Sequence, residues 1–392
     1  MGLLSSLASG ANGKRKIGAG DAPRFDQRYT IYNRATWDPS MQEDRHKSYY
    51  GNHVFGDRSG YTLEDWAFAM ACWNLERRFG HGSLAGNEDL TRWELPEDEV
   101  RKVSRLVPGE KWVVSDPAQM SKDVKRVTRF LGACLVGICR TDQRWVYSHR
   151  FHRITSQYES IEVPRDYQHA IVYAVEMDDK AIRTSPTYPA MAAAAKCYSD
   201  MVYVSGMLAH FIRTLGYRAI PCGNDTALSI PMAIEAGLGE LGRHGQLITQ
   251  EFGPRIRLAK VFTDLPLVPD KPIEFGVAEF CSTCRRCAEN CPGQAIPFGE
   301  PTTEGPSISN NNGIYKWYIN PERCFEFWCR NEGGVCGNCV RVCPFNKPSG
   351  WLHDGARFLA RNAPWLDPLL LRLDKLFGYG KRMSVEQFWG RA

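Results

Sequence analysis

Nowhere in this 392-residue chain does an apolar run approach the roughly eighteen residues that a bilayer-spanning helix needs. The best candidate, 131–139, is short and broken by glycines, so a helical integral membrane protein is excluded. Charge of one sign is also scarce. The net charge is only +5, and no basic run stands out beyond Lys14 to Lys16, so nucleic-acid binding has no electrostatic support. Residues 1–22 are rich in Gly, Ser and Ala, but they lack a sustained apolar segment and a twin-arginine pair. They read as a flexible tail rather than an export signal.

Cysteine, by contrast, is abundant and patterned. Eight of the fourteen fall in two runs: Cys281, Cys284, Cys287, Cys291-Pro292, then Cys324, Cys336, Cys339, Cys343-Pro344. The first is C-x2-C-x2-C-x3-C-P, the spacing of two-cluster ferredoxins, in which three close thiolates hold one cluster and the fourth crosses to the other. The second run repeats C-x2-C-x3-C-P. Crossed ligation therefore assigns Cys281, Cys284, Cys287 and Cys343 to one 4Fe-4S cluster, and Cys291, Cys324, Cys336 and Cys339 to the second. Disulfides would give no reason for two such runs, and zinc would be satisfied by four cysteines in C-x2-C pairs. Cys329 fits neither run and reads as a small buried side chain or a spare thiol. Cys72, Cys134, Cys139, Cys197 and Cys222 are scattered as core cysteines are. A chain with this wiring moves electrons.

At 43% hydrophobic, the chain fills a core far larger than a ferredoxin module needs, so the clusters serve something else. Eleven tryptophans and sixteen tyrosines point to an aromatic-lined interior or pocket, although ordinary packing accounts for most of them. Residues 23–112 carry polar breaks at Gly51-Asn52, Gly56-Asp57, Gly80-His81 and Pro108-Gly109, which predict short helices and loops. Asp116-Pro117 is an N-cap followed by an N1 proline, opening a helix that ends at Gly132. Strands are expected over 133–139, 170–175, 217–221, 246–249 and 256–263, a long helix over 188–215, and a short one over 230–236. Alternating helices and strands argue for an α/β (α+β) layer structure. The expected order is a tail (1–22), an N-terminal segment packing on the core (23–115), the core itself (116–268), a ferredoxin-like iron-sulfur domain (269–350) and a C-terminal tail (351–392).

Gly237, Gly239 and Gly242 form G-x-G-x-x-G, with Asp264 at a ribose-contact distance downstream. A dinucleotide site needs a strand before such glycines and a helix after them; here the order is reversed. What remains is a loop whose amides cradle some other large cofactor, or a tight turn with no ligand.

Taken together, Ala181 to Pro186, Cys222 to Thr226, Gly237 to Arg243, Leu247 to Thr249, Phe252 to Arg255, Phe327-Trp328 and Pro344 to Lys347 give the chain its resemblance. It resembles the corrinoid-dependent reductive dehalogenases from about residue 116 to 350. The resemblance implies a nitroreductase-like core holding a base-off cobamide beside a ferredoxin-like module with two 4Fe-4S clusters. The expected reaction removes halide from an organohalide with two electrons and one proton. On matching positions it implies Tyr198 as proton donor, Arg257 as its support and Asn224 in the same pocket. Trp328 walls the substrate site, and Gly237, Gly239 and Gly242 lie against the corrinoid. A tyrosine is a poor acid unless its phenolate is stabilised, and a permanently charged arginine provides that. Without the resemblance, Tyr198 could equally be a packed helix aromatic, Arg257 a solvent-reaching strand residue, Asn224 a turn residue and Trp328 a cluster shield. No D-x-H-x-x-G sequence occurs, which fits a cobalt without a protein histidine beneath it.

For partners, the resemblance implies a small halogenated substrate, a membrane-anchor subunit and a homodimer, with no nucleic acid; the electron donor is not specified. It implies the outer face of the cytoplasmic membrane. A chain complete as it stands, with no export signal, implies the cytoplasm instead. Two rivals remain from the sequence. An epoxyqueuosine reductase shares the cofactors, but it would show an acidic proton donor and a basic tRNA-binding surface. A non-catalytic two-cluster electron carrier would leave most of the residues before 265 without a purpose.

Overall fold

The computed structural model describes residues 17, 18, 20–41, 55–79, 111–153, 155–348 and 350–391. At its centre is a four-stranded sheet of β1 (Leu135–Arg140), β4 (His169–Glu176), β8 (Ile256–Thr263) and β5 (Ala219–Cys222), in that spatial order. Every pairing is antiparallel, so the mixed helix-and-sheet class is realised in its α+β form. Short hairpins flank it: β2 (His149–Phe151) with β3 (Tyr158–Ser160), and β6 (Glu240–Leu241) with β7 (Leu247–Ile248). The first hairpin has no counterpart in the sequence reading, because three-residue strands carry too little alternation to register.

Strand periodicity sorts the core into two layers. Ile171, Tyr173 and Val175 of β4, with Ala259 and Val261 of β8, face the 27-residue helix Tyr188–Thr214. Ala170, Val172 and Ala174, with Leu258 and Phe262, face the opposite side, where the helix Ser229–Glu235 packs. Both central strands are therefore buried on both faces and are apolar along most of their length, β8 being interrupted by two charged residues. The same parity fixes two charged residues of β8. Arg257 shares the long-helix face with Ala259 and Val261, whereas Lys260 shares the other with Leu258 and Phe262.

The helix Pro117–Phe130 begins as expected. Asp116 accepts from the Ala118 and Gln119 amides at 2.9 and 3.1 Å, a cap worth about 1 kcal/mol. In the N-terminal segment, the helices Ile31–Trp37, Leu63–Cys72 and Asn74–Phe79 are described, the last two packing on the long helix. The expected breaks at Gly51-Asn52, Gly80-His81 and Pro108-Gly109, and residues 1–16 of the expected tail, lie outside the described residues. The end of that tail is not free: the Gly18 amide donates to Tyr315 O at 2.8 Å, and Gly20 bridges Ile314.

Residues 351–391 correct the expectation of a C-terminal tail. They form the helices Trp351–Asn362, Asp367–Leu376 and Val385–Trp389. Buried Asp374 pairs with Arg286 and, at 2.7 Å, with Lys347. Trp389 Nε1 donates to Asp65 at 2.8 Å, and its ring packs edge-on against Phe68. The segment thus fastens the cysteine-rich module and the N-terminal helices to the core. The sequence concealed this, because an amphipathic helix docked by buried ion pairs resembles a polar, Trp-rich tail in composition.

Candidate functional site

All fourteen cysteines are free thiols, so the disulfide reading is excluded. The eight patterned ones sit on short helices and the turns that follow them: Cys281 in Val277–Thr283, Cys287 in Arg286–Glu289, Cys324 in Pro321–Arg330 and Cys339 in Asn338–Arg341. Their mutual fields sort them into two groups. Cys287 feels Cys281, Cys343 and Cys284, together with Cys339 from the other set; Cys324 feels Cys339, Cys336 and Cys291. The two cysteine runs are therefore neighbours in space, although among the described residues no three Cys, His, Asp or Glu side chains are grouped so as to hold a metal ion. Burial pushes these thiols up, to about 12 for Cys281, 12 for Cys339 and 11 for Cys336. Such thiols become thiolates only against a strong local positive charge, which cluster iron provides. Cys329 packs with Ala35, Met41 and Phe325, the buried one of the two alternatives read for it.

Between these quartets, the core and the N-terminal helices lies a cavity of about 2000 Å³. That is roughly twice the upper end for a drug-sized ligand and suits a macrocyclic cofactor together with a substrate. Tyr198, Asn224, Arg257, Trp328 and Cys336 all line it. The Asn224 side-chain amide donates to the Tyr198 hydroxyl oxygen at 2.9 Å. The Arg257 guanidinium lies 5.6 Å from the centre of the Tyr198 ring, as the parity of β8 requires. Its Nε is buried and, among the described residues, makes no hydrogen bond. Trp73 stacks on the third side of Tyr198, with ring centres 5.2 Å apart and planes at 18°. Trp328 enters from the helix that carries Cys324 and leans on Tyr32 at 5.8 Å.

The three glycines sit at points of close approach within the chain. Gly237 and Gly239 follow the helix Ser229–Glu235 and precede β6, and Gly242 follows β6 in the turn to β7, so a helix comes before the motif and a strand after it, the reversed order read from the sequence. Gly237 has φ +73°, and a Cβ there would lie 2.5 Å from Lys271 O. One on Gly239 would lie 2.1 Å from Ile248 O, and one on Gly242 would lie 2.7 Å from Ile248 Cδ1. The glycines let the β6–β7 hairpin close on itself and on the chain beyond. The cavity wall is supplied by Glu240, Leu241, Gly245 and Gln246 of the same hairpin. Asp264 is engaged by Arg218 through its amide at 2.7 Å and its Nε at 2.9 Å, which removes the ribose role.

Sequence reasoning missed several wall residues. Trp73 carried no signal beyond being one of many aromatics. Glu235 holds the Trp145 indole N–H at 2.8 Å, and burial raises its carboxyl above the usual range. Lys316 also lines the cavity and is pushed down to about 8 by burial.

Residues 280–347, which contain both cysteine runs, match the 4Fe-4S dicluster domain and support 4Fe-4S clusters in this module. The chain is 41% identical over 300 residues to the tetrachloroethene reductive dehalogenase of Sulfurospirillum multivorans, covering 70% of this chain and 60% of that one. It is 43% identical over 317 residues to the tetrachloroethene reductive dehalogenase of Dehalobacter restrictus, covering 71% and 57%. The chain thus spans somewhat more than half the length of these curated relatives. A solved reductive dehalogenase, described as suggesting a mechanism for B12-dependent dehalogenation, is 27% identical with a TM-score of 0.62, covering 70% of this chain and 39% of that one. The catabolic reductive dehalogenase NpRdhA, solved with 3-bromo-4-hydroxybenzoic acid, shares the fold at a TM-score of 0.70 and 22% identity, covering 92% and 47%. With the dicluster module beside an aromatic-walled cavity, and over 40% identity to two curated members, the chain belongs to the reductive dehalogenase family.

Proposed function

We propose that this chain removes halide from a small organohalide, using two electrons and one proton, in the cavity walled by Tyr198, Asn224, Arg257 and Trp328. The observation that carries the reading is the setting of Tyr198. Its oxygen accepts from Asn224, and a guanidinium with no hydrogen bond on its Nε among the described residues lies over its ring. A phenol whose oxygen already accepts one hydrogen bond keeps its own proton available for a different acceptor. The phenolate left behind is stabilised by the Asn224 N–H and the Arg257 charge.

The cavity volume and Arg257, a cation on its wall, fit a cobamide carrying a phosphate. When bound, a corrinoid supplies a cobalt centre able to deliver electrons to a carbon–halogen bond. The base-off form of the corrinoid belongs to the same reading. Two clusters suit the two quartets. Cys336 reaches the cavity wall, so the quartet of Cys291, Cys324, Cys336 and Cys339 is the proximal relay and that of Cys281, Cys284, Cys287 and Cys343 the distal one. Trp328, Trp66, Tyr32 and Trp73 exclude water and offer apolar area to a haloalkene, haloalkane or haloarene. A membrane-anchor subunit, a homodimer and the outer face of the cytoplasmic membrane belong to the same reading.

The test is halide release by anaerobically purified protein from chlorinated ethenes, ethanes and phenols, with a reduced viologen as donor. Release from at least one class, with stoichiometric cobalt, is expected. Absence of halide from every member, or iron without cobalt, overturns the proposal in favour of an electron carrier.

A further inference from the structure

Lys260 is the one residue of β8 whose charge points away from the proposed proton donor, and it is fully buried. Its Nζ donates to Gly223 O, Asp225 O and Ala227 O, each at 2.7 Å, and lies 3.1 Å from Ser229 Oγ. The three carbonyls can only accept, so each needs an N–H, and a neutral amine has two. Lys260 is therefore a full ammonium, despite a burial that pulls it below its ordinary range. The acceptors fall on alternate residues of the loop joining β5 to the helix Ser229–Glu235. Every second carbonyl turns inward to one buried cation.

Between the first two clamped carbonyls sits Asn224, which is exposed to the cavity and donates to Tyr198. The loop is held in an unusual path: Thr226 has φ +65°, a left-handed conformation that a β-branched residue rarely adopts. Part of its fastening is internal. The Gly223 amide donates to Asp225 Oδ1 at 2.6 Å and the Ala227 amide to Asp225 O at 2.7 Å. Towards the rest of the core, Leu228 N donates to Trp145 O at 2.8 Å and the Tyr147 amide to Thr226 O at 2.9 Å, alongside the Lys260 clamp and the Asn224 contact with Tyr198.

We propose that Lys260 is a positioning residue: its buried ammonium holds the 223–229 loop in the conformation that presents the Asn224 amide to the Tyr198 hydroxyl. The positioning role rests on the reading of Tyr198 as proton donor; the clamp itself does not. Removing the cation strands three carbonyls, relaxes Thr226 towards ordinary backbone and releases Asn224 from Tyr198, leaving Arg257 and the cluster quartets untouched.

Two measurements on anaerobically purified protein test this. Hydrogen exchange compares the amides of residues 223–229 with those of β4 in wild type and Lys260→Met. Exchange in the loop should rise at least about tenfold more than in β4, because the opening is local. An equal rise in both, or none in the loop, overturns the clamp. A kinetic cycle then combines Lys260→Met with Asn224→Ala. Lys260→Met alone should lower kcat by about 100-fold, the scale of a small misplacement of a catalytic group, with cobalt and iron retained. In the Asn224→Ala background it should change kcat by less than about threefold, because the two act through one contact. Independent, multiplying losses overturn the positioning role. Should Lys260→Met not accumulate as folded protein, Lys260→Gln keeps two donors and carries the same comparison. Loosening of the loop in a protein that releases no halide would leave the clamp standing and remove the dehalogenase reading instead.

Discussion

Asn224 and Tyr198 stand on different elements 26 residues apart, and the amide of the first donates to the hydroxyl oxygen of the second at 2.9 Å. The direction of that bond matters more than its presence. An N–H aimed at the phenol oxygen favours the state in which the phenol has given up its proton, and a carboxylate at the same place would oppose it. Asn224→Asp should therefore lower kcat by about 10² to 10³-fold, the range seen when a donor to a developing oxyanion is lost. The check is the rate per corrinoid, with KM followed separately. A variant with full kcat would mean that the contact is structural only.

Arg257 offers a second, independent handle on the same group. Arg257→Met removes the charge over the Tyr198 ring and should depress kcat, while Arg257→Lys retains a charge and should keep more activity. The ranking arginine, lysine, methionine is the expected outcome of initial-rate assays at equal cobalt content. Equal activity in all three would show that the charge does not act on the reaction.

The two thiol quartets lie close enough that Cys287 of one feels Cys339 of the other. Cys291 and Cys343 each leave one sequence run to join the quartet of the other. Cys343→Ser and Cys291→Ser should therefore each cut iron content by more than one cluster's share, measured by metal analysis and by the spectrum of the reduced protein. Loss of a single cluster with the other intact would contradict the coupling of the two quartets into one folded unit.

Much of this was legible in the sequence, for identifiable reasons. The cysteine runs declare themselves because cluster ligation fixes both residue type and spacing. Strand β8 and the long helix showed their extents because both are buried and strongly patterned. Tyr198, Asn224 and Arg257 were reachable only through the family resemblance, since no local spacing brings a helix, a loop and a strand residue together. Trp73 and Lys260 were not reachable at all. The first depends on how a separate segment packs, and the second on a loop wrapping a cation, neither of which leaves a periodic trace. The glycine loop left two readings open in the sequence, a ligand cradle and a tight turn, and spacing alone could not show the close contacts that Gly237, Gly239 and Gly242 make.

That packing makes its own prediction. Gly239→Ala places a methyl 2.1 Å from a backbone carbonyl and should destabilise the protein by about 1–3 kcal/mol, whereas Gly299→Ala meets nothing within 4 Å and should be close to neutral. Denaturant midpoints of the two variants decide it. A Gly239→Ala protein as stable as wild type would show that the hairpin has room that the geometry denies.

Asp367 supplies a dependence on pH. Burial, with Glu279 nearby, raises its carboxyl to about 6, above its ordinary value, and its Oδ1 is buried without a hydrogen bond among the described residues. Between the unfolded value and about 6 the folded state binds more protons, so this group's contribution to stability falls as pH rises through that window. Asp367→Asn should gain stability over wild type as pH goes from about 5 to 7 and hold the gain above it. A difference between the two proteins that stays flat over that range would contradict the assignment.

The most direct test of the whole account is Tyr198→Phe, which removes one oxygen and leaves the stack on Trp73 and the cavity shape in place. Halide release per corrinoid, measured with reduced viologen on protein of verified cobalt and iron content, should vanish while both cofactors remain at wild-type levels. Halide release at the wild-type rate from that variant would show that the proton comes from elsewhere and would contradict the account at its centre.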